Sequence, residues 1–302
     1  IPLILNKELQ IPISKFFLFE RDGVYPDEAK KRLGLKVFKS LSYLEFVFAP
    51  SILKSSRINM KKDSSENAEI NKKILLSILK RLKKKLLSLE PSSSSFWTDY
   101  AKKRDHYSKK DIEIKKEIVE EFFKKNNGKT LDIGCNTGEF LYIASKYCSE
   151  THGIDIDENC INLIQKNLNN QNISLSNVNI SNPTPGVGWM NEETSGYIEK
   201  NLNYFDNIIF FGIVHHLVVT DRIPILSIIE LLASLTKKNL IFEFVSNKDE
   251  RFLDLANINI DLYQNFTKEN FENLIQKSFK IIKTYDLEYN SNRNIYILEK
   301  KI

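Results

Sequence analysis

From residue 111 onward, short apolar stretches alternate with segments of helical periodicity, and this alternation constrains the fold more than any other feature. Strand-like stretches fall at 130–134, 152–156, 173–180, 206–213 and 239–245. Helical patterns fall at 111–125, 139–148, 158–168, 223–235 and 268–277. This order predicts an α/β fold with a mainly parallel sheet covered on both faces. Two last strands, at 280–287 and 294–299, have no room for a helix between them and should form an antiparallel hairpin, which makes seven strands.

The first predicted strand runs into a glycine-containing turn, Leu131-Asp132-Ile133-Gly134-Cys135-Asn136-Thr137-Gly138. Such a turn lies at the carboxyl end of a strand, where open α/β sheets bind ligands. Gly134 and Gly138 let the backbone approach a ligand and adopt positive φ. Their spacing is G-x-x-x-G, whereas a pyrophosphate site needs G-x-G-x-x-G, and Asp132 would repel that anion. The turn instead suits a ligand that carries a cationic amino-acid group.

A second carboxylate, Asp155, closes the next predicted strand, about 20 residues beyond the turn. A carboxylate in this position can accept hydrogen bonds from both hydroxyls of a ribose. Asp157 is expected to cap the following helix, because Asp with Glu158 behind it suits a first turn.

The turn and Asp155 together resemble those of class I S-adenosylmethionine-dependent methyltransferases. The resemblance implies a Rossmann-like fold and S-adenosylmethionine as the cofactor. It also implies an acid or amide beside the adenine at the end of the third strand, where Asn179 stands next to Ile180. The cofactor-binding residues that it implies are Asp132, Gly134, Asn136, Gly138, Asp155, Ile156, Asn179 and Ile180.

Longer motifs narrow this resemblance. They are 182–189 (NPTPGVGW), 213–217 (IVHHL), 224–226 (PIL), 243–245 (EFV) and 291–293 (SNR). In these motifs the chain is similar to the nodulation-protein NoeA-like group of bacterial class I methyltransferases, whose members usually have Asp where Asn179 stands. The likeness continues upstream through 96–100 (FWTDY), so it would cover most of the chain. It does not supply the methyl acceptor.

His215 and His216 follow the fourth predicted strand, where this architecture lines the methyl-transfer cleft. Methyl transfer is an in-line displacement, so the protein mainly aligns the reactants and supplies a general base if the acceptor is protonated. Histidine suits that role because its pKa lies near neutral pH. The alternative is that one or both histidines only hydrogen-bond the strand end or loop. No Cys, Asp or Glu at ligand spacing accompanies them, so no metal site is predicted.

Glu243 ends the fifth predicted strand, within the apolar segment 240–245. A carboxylate there is costly unless it is used or paired. It could orient a histidine or bind a substrate hydroxyl or amine, which makes it the third catalytic candidate. Pairing with Arg251 or another cation is an equally good interpretation. Arg293, near the final hairpin, could reach an anionic substrate group, but a surface salt bridge is the favoured interpretation.

The formal charge of +5 is unevenly distributed. Residues 1–110 carry a net +12 and residues 111–302 a net −7, which predicts a basic, mainly helical accessory region followed by the methyltransferase domain. Residues 72–89 form an amphipathic basic pattern, for which a helix docked by its leucine face is favoured over a phosphate or membrane surface. Three cysteines, no long apolar run and no signal-peptide pattern in residues 1–5 favour a soluble, cytoplasmic protein.

The sequence therefore predicts transfer of a methyl group to the oxygen or nitrogen of a small or carbohydrate-like acceptor. The basic region suggests RNA as an alternative acceptor, although no base-flipping motif follows the fourth strand and no RNA-binding module is recognisable in residues 1–110. A non-catalytic interaction module with the same fold is the other alternative. The sequence leaves the oligomeric state open.

Overall fold

The computed structural model describes residues 1–20, 23–52, 72–73, 76–77, 79–84, 86, 109–168, 172–287 and 292–301. The chain divides into two compact units, Ile1–Ser93 and Ser94–Ile302. The predicted division at residue 110 stays a prediction, because residues 94–108 lie outside the described residues. The motif at 96–100 and Ser291 also lie outside them.

The described part of the first unit is helical. It contains α1 (Pro2–Leu9), α2 (Ile13–Phe19), α3 (Pro26–Leu33), a 3-10 turn (Gly34–Lys39), α4 (Leu41–Tyr43), a π turn (Leu44–Phe48) and α5 (Ala49–Ile52). Its small core is built from buried side chains of these elements, including Leu5, Leu33 and Val47. The described residues between 72 and 86 are helical, and Leu79 and Leu86 there are 49% and 45% exposed, so the described part of that leucine face is not buried.

The second unit is built on a seven-stranded sheet with the order β3-β2-β1-β4-β5-β7-β6. The strands are β1 (Lys129–Ile133), β2 (Glu150–Asp155), β3 (Ile173–Asn177), β4 (Phe205–Phe210), β5 (Thr236–Val245), β6 (Phe279–Asp286) and β7 (Arg293–Lys300). Strands β1 to β5 pair in parallel, and β7 pairs antiparallel with both β5 and β6. The predicted mainly parallel seven-stranded sheet and helical N-terminal region are therefore confirmed.

The connections of the sheet are mostly helical. They are α6 (Lys109–Phe123), α7 (Glu139–Ser145), α8 (Glu158–Lys166), α9 (Tyr197–Asn201), α10 (Ile225–Leu235), α11 (Glu250–Ala256) and α12 (Lys268–Ile275). A π turn (His216–Thr220) follows β4, and a 3-10 helix (Asn257–Tyr263) follows α11. Asp157 caps α8, as predicted: its side chain accepts a hydrogen bond from the Asn159 backbone N–H.

Two apolar clusters cover the two faces of the sheet. One centres on Phe210, Phe242 and Phe244, against which α10 and α12 pack through Leu232 and Phe271. The other joins α6 and α7 to the opposite-facing residues of β4, β5 and β7. No helix among the described residues is long and apolar enough to cross a membrane. The three cysteines are buried and unpaired in the described structure.

Parallel pairing brings the ends of neighbouring strands to one edge of the sheet. Ile133 lies opposite Phe210, and Phe210 lies opposite Phe242. The turns that leave β1, β2, β4 and β5 therefore meet at this carboxyl edge, which is where open α/β sheets bind their ligands.

Candidate active site

The glycine turn leaves β1 sharply and begins α7. Gly134 has φ of 72° and Gly138, the N-cap of α7, has φ of 86°. A Cβ on Gly134 would lie only 2.6 Å from Cδ1 of Ile213, so no side chain fits without a shift. Asn136, between the glycines, also has positive φ, which Asn tolerates better than most residues. At Gly134 and Gly138 the predicted turn thus brings backbone without a side chain to the edge of the sheet.

A cavity of about 260 Å³ lies at this edge. It is bounded by the ends of β1 and β2, by the chain that follows β3 and by the chain that follows β4. Four of the predicted cofactor-binding side chains line it together with the Gly134 backbone: Asp155, Ile156, Asn179 and Ile180. The remaining wall is mainly apolar and comes from the segment after β4, including Phe211, Ile213 and Leu217. We call this space the larger cavity.

Asp155 enters the larger cavity from the end of β2. Its Oδ2 accepts a hydrogen bond from the Asn136 backbone N–H at 2.8 Å, and its Oδ1 accepts one from the Asp157 N–H at 2.9 Å. Burial raises the pKa of this carboxyl above its usual value, while the two backbone donors work in the opposite direction. The bonds hold the carboxylate in one orientation, and each carboxylate oxygen retains further acceptor capacity.

Asn179 and Ile180 approach the larger cavity from the chain after β3. The Asn179 side-chain oxygen accepts hydrogen bonds from the Ser181 backbone N–H and from the Ser181 hydroxyl, at 3.0 and 2.8 Å. With its oxygen held in this way, Asn179 has its amide NH₂ to offer to a ligand, as a donor. An Asp at the same position would offer only acceptors when ionised.

A second, smaller cavity of about 110 Å³ lies beside the first. The two share Gly134, Phe211 and Gly212 in their walls. The smaller cavity is lined by Asp132, Asn136 and Glu243, and by side chains from α6 and α7. We call it the smaller cavity.

Asp132 is a buried acid of the smaller cavity. Its side chain is buried, and among the described residues no group hydrogen-bonds its Oδ2. Burial raises the pKa of Asp132 to about 8, and the charge of Asp155 contributes. A buried carboxyl oxygen without a partner is costly and favours a ligand that brings a positive charge.

The two histidines differ in their placement. His216 is one of the residues that line the larger cavity, whereas His215 is not among the described residues that line either cavity. Their ring centroids are 4.2 Å apart. Burial lowers the pKa of both rings, and the positive charge of Arg293 lowers both further. Both are therefore neutral at pH 7, and among the described residues no group hydrogen-bonds Nδ1 of His215.

Glu243 is fully buried at the carboxyl edge, and cations surround it. Its Oε1 lies 2.6 Å from Lys115 Nζ on α6 and 3.6 Å from Arg293 Nη1 on β7. Arg293 in turn forms a two-bond ion pair with Asp249, at 2.7 and 2.9 Å. The partners of Glu243 are thus Lys115 and Arg293 and not Arg251. The prediction of a surface salt bridge for Arg293 is wrong, because Arg293 is only 2% exposed.

Sequence reasoning missed Lys115 and Asp249. Lys115 looks like one of several solvated lysines on the polar face of a helix, yet it is only 4% exposed and lines the smaller cavity. Asp249 follows β5 in a polar loop, where it also caps α11 by accepting from the Arg251 backbone N–H. A signal for Lys115 was present, because its position places it among the apolar residues Ile112, Ile118 and Val119 of that helix.

The two cavities fit the cofactor that the sequence implies. The buried Oδ2 of Asp132, which has no hydrogen-bond partner among the described residues, suits an ammonium group. In the neighbouring larger cavity, Asp155 offers acceptors for a pair of hydroxyls. Among the described residues no group of three or more His, Cys, Asp or Glu side chains could hold a metal ion. A doubly wound sheet with these paired cavities defines the class of S-adenosylmethionine-dependent methyltransferases.

Comparison with known proteins agrees with this class. A family model described as "Methyltransferase domain" matches residues 103–278, more than half of the chain, so the chain belongs to the methyltransferase domain family. The predictions of a class I methyltransferase and of S-adenosylmethionine as the cofactor are confirmed.

The proteins similar to the chain include one curated relative and two solved methyltransferase structures. Nodulation protein NoeA of Rhizobium meliloti (strain 1021) is 23% identical over 99% of this chain, which spans 64% of that protein's length. The N-methyltransferase NodS from Bradyrhizobium japonicum WM9 is 11% identical with a TM-score of 0.47, covering 65% of this chain and 99% of NodS. The magnesium protoporphyrin IX methyltransferase ChlM from Synechocystis PCC 6803, solved with bound S-adenosylmethionine, is 15% identical with a TM-score of 0.45, covering 70% of this chain and 100% of ChlM.

Proposed function

We propose that this protein transfers a methyl group from S-adenosylmethionine to an oxygen or nitrogen of a small or carbohydrate-like acceptor. The observation that carries the proposal is the pair of adjoining cavities at the carboxyl edge. Asp155 lies in one, and in the other lies Asp132, whose Oδ2 has no hydrogen-bond partner among the described residues. When bound, the cofactor supplies an electrophilic methyl group on a sulfonium.

Different residues of the two cavities would bind different parts of the cofactor. Asp155 would accept hydrogen bonds from the ribose hydroxyls, and Ile156, Asn179 and Ile180, which line the same cavity, would hold the adenine. Asp132 faces the ammonium of the methionine part in the smaller cavity, where Asn136 also lies. Gly134 and Gly138 shape the turn so that the backbone passes close to the ligand without side chains in the way.

His216 is the base that the geometry favours. It lines the larger cavity, and its lowered pKa keeps the ring unprotonated at neutral pH, ready to accept a proton from an acceptor hydroxyl or amine. His215 packs against it and takes the role of support. Glu243 remains a candidate for binding the acceptor beside the smaller cavity, with one oxygen held by Lys115 and Arg293.

A small acceptor is favoured over RNA by charge. Residues 111–302, which form the site, carry a net −7, and nucleic acids bind chiefly through neutralisation of their phosphates by cations. Two cations close to the site, Lys115 and Arg293, are buried and already engaged with carboxylates.

Calorimetric titration with S-adenosylhomocysteine tests the cofactor site. We expect wild type to bind and Asp155→Asn to lose at least tenfold in affinity, because an amide replaces one of the acceptors. Asp157→Ala is the matched control: it removes an acid two residues away whose side chain caps α8, and its affinity should stay within about twofold of wild type. Thermal unfolding checks that each variant is folded. No binding by wild type, or equal losses in the two variants, would contradict the proposal.

Methyl transfer is tested by screening small hydroxyl, amine and sugar acceptors for S-adenosylhomocysteine formation. With an acceptor in hand, His216→Gln should reduce kcat by about 10²-fold or more, the usual contribution of a general base, with unchanged cofactor affinity. His215→Gln should have a smaller effect. Transfer to RNA, with binding that weakens steeply with salt, would overturn the acceptor class and leave the cofactor site intact.

A further inference from the structure

A third cavity, separate from the two already described, forms a groove of about 600 Å³ in the second unit. The start of α10, the 3-10 helix (Asn257–Tyr263) and α12 surround it. Its wall is largely apolar and includes Val218, Ile223, Pro224, Leu262, Phe266 and Leu274. Its volume is within the range of small-molecule sites, which is roughly 300–1,000 Å³.

The groove and the larger cavity lie on two sides of one short segment. In the π turn after β4 and the residues that follow it, Leu217, Thr220 and Asp221 line the larger cavity. Val218 and Arg222, from the same segment, line the groove. The groove is therefore a separate site that shares a wall with the cofactor cavity.

Arg222 distinguishes the groove from an ordinary apolar depression. It is the one charged side chain among the described residues that line the groove. It forms no salt bridge with any residue in the part of the chain that the structure describes, and it is exposed. Its backbone has φ of 56°, a left-handed conformation that is uncommon for residues other than Gly, Asn and Asp. Arg222 thus adds a cation, with donors suited to an anion, to a largely apolar wall.

We propose that this groove binds a free carboxylic acid with an aliphatic chain. The chain buries apolar surface against Val218, Leu262 and Phe266, and the carboxylate meets the guanidinium of Arg222. Leu262 is 76% exposed at the groove, which is the kind of apolar side chain that such a chain would cover. This ligand complements the groove in both polarity and charge. The proposal concerns a site other than the cofactor cavities and does not depend on methyl transfer.

Binding of sodium octanoate to the full chain, followed by calorimetry below its micellar concentration, tests the proposal. Octan-1-ol is the uncharged comparison ligand. Leu262→Asp places a like charge beside the proposed carboxylate, and Arg222→Asn removes the cation with a residue that tolerates positive φ. Ile258→Asp is the matched control for the first variant, since Ile258 lies in the same 3-10 helix, is 86% exposed and is not among the residues that line the groove. Lys277→Asn is the charge-matched control for the second.

We expect wild type, Ile258→Asp and Lys277→Asn to bind octanoate with the same affinity and to prefer it to octanol by at least tenfold. Leu262→Asp and Arg222→Asn should each weaken octanoate binding at least tenfold, and Arg222→Asn should abolish the preference over octanol. The proposal is overturned if wild type does not bind octanoate, if it binds octanol equally well, or if the controls lose as much affinity as the groove variants. The titration needs no cofactor, so its failure would leave the proposed methyl transfer untouched.

Discussion

Removing the ammonium of Lys115 should destabilise the second unit far more than a change at a surface lysine. The Lys115–Glu243 pair is 2.6 Å long, and its two side chains are 5% and 0% exposed. Loss of one partner of such a buried pair costs about 3–5 kcal/mol, because the other charge stays buried. Arg293 Nη1, at 3.6 Å, still compensates Glu243 in part, so the lower end of that range applies. We therefore expect Lys115→Met to lower the free energy of unfolding by about 3 kcal/mol.

A double-mutant cycle isolates the pair. Glu243→Gln should cost about 3–4 kcal/mol, since it leaves Lys115 buried without its carboxylate, while Arg293 keeps Asp249. The double variant should cost about 2–3 kcal/mol less than the two single losses combined. Urea unfolding followed by circular dichroism measures these free energies of unfolding. Hydrogen exchange of the β5 amides reports the stability of the second unit, to which the pair belongs. Asp254→Asn, which breaks the exposed Arg251–Asp254 pair, is the control and should change stability by less than about 1 kcal/mol. Additive single effects would refute the coupling, and a loss at Lys115 no larger than that at Asp254 would refute the burial argument.

Four further predictions concern the site. Because the pKa of Asp132 is about 8 in the folded protein and 3.8 when unperturbed, its contribution to stability is largest at low pH and is lost as pH rises between these values. In urea unfolding between pH 5 and pH 8, Asp132→Asn should therefore reduce the fall of the free energy of unfolding with pH. At pH 7 the Asp132 carboxyl is mostly protonated, and the ammonium of S-adenosylhomocysteine should ionise it, so binding should release about one proton from wild type. Calorimetry in buffers of different ionisation enthalpy detects this release, and Asp132→Asn should abolish it. Gly134→Ala should lower the free energy of unfolding by about 1–2 kcal/mol, because residue 134 has a left-handed φ. It should also weaken S-adenosylhomocysteine binding by displacing Ile213 into the larger cavity, so an unchanged Kd would contradict the close approach of Ile213 to Gly134. Asp157→Ala should cost about 1 kcal/mol as a lost helix cap, measured as a lower Tm.

The cofactor half of the site could be predicted because its determinants are local in sequence. Asp132, Gly134 and Asn136 belong to one turn between a strand and a helix, so pattern and glycine spacing were sufficient to place them. Asp155 required only the further step that neighbouring parallel strands end at the same edge, which the observed register bears out. Asn179 and Ile180 were implied by the resemblance as the end of the third predicted strand; the strand ends at Asn177, and both residues line the larger cavity.

The buried charge network at the carboxyl edge could not be predicted in the same way, since it joins residues that are distant in the chain. Lys115 and Glu243 are 128 residues apart, and Asp249 and Arg293 are 44 apart. No local pattern shows that a lysine on a helix will reach a strand end across the sheet. The α11 helix and the 3-10 helix after it were also missed, because 250–263 lacks a clean helical stripe; four of its leucine and isoleucine side chains remain exposed.

The segment after β5 connects the buried charge network to the helices that border the groove. Asp249 in this segment is held by Arg293, the same arginine that approaches Glu243, and α11 begins immediately after it. The 3-10 helix that borders the groove thus follows, in the chain, a helix capped by a residue of the buried charge network. The residues that line the groove and those that line the larger cavity do not overlap, so changes in 257–274 can alter the groove while the lining of the larger cavity stays constant. Substitutions in this stretch should therefore change binding in the groove before they change binding in the larger cavity.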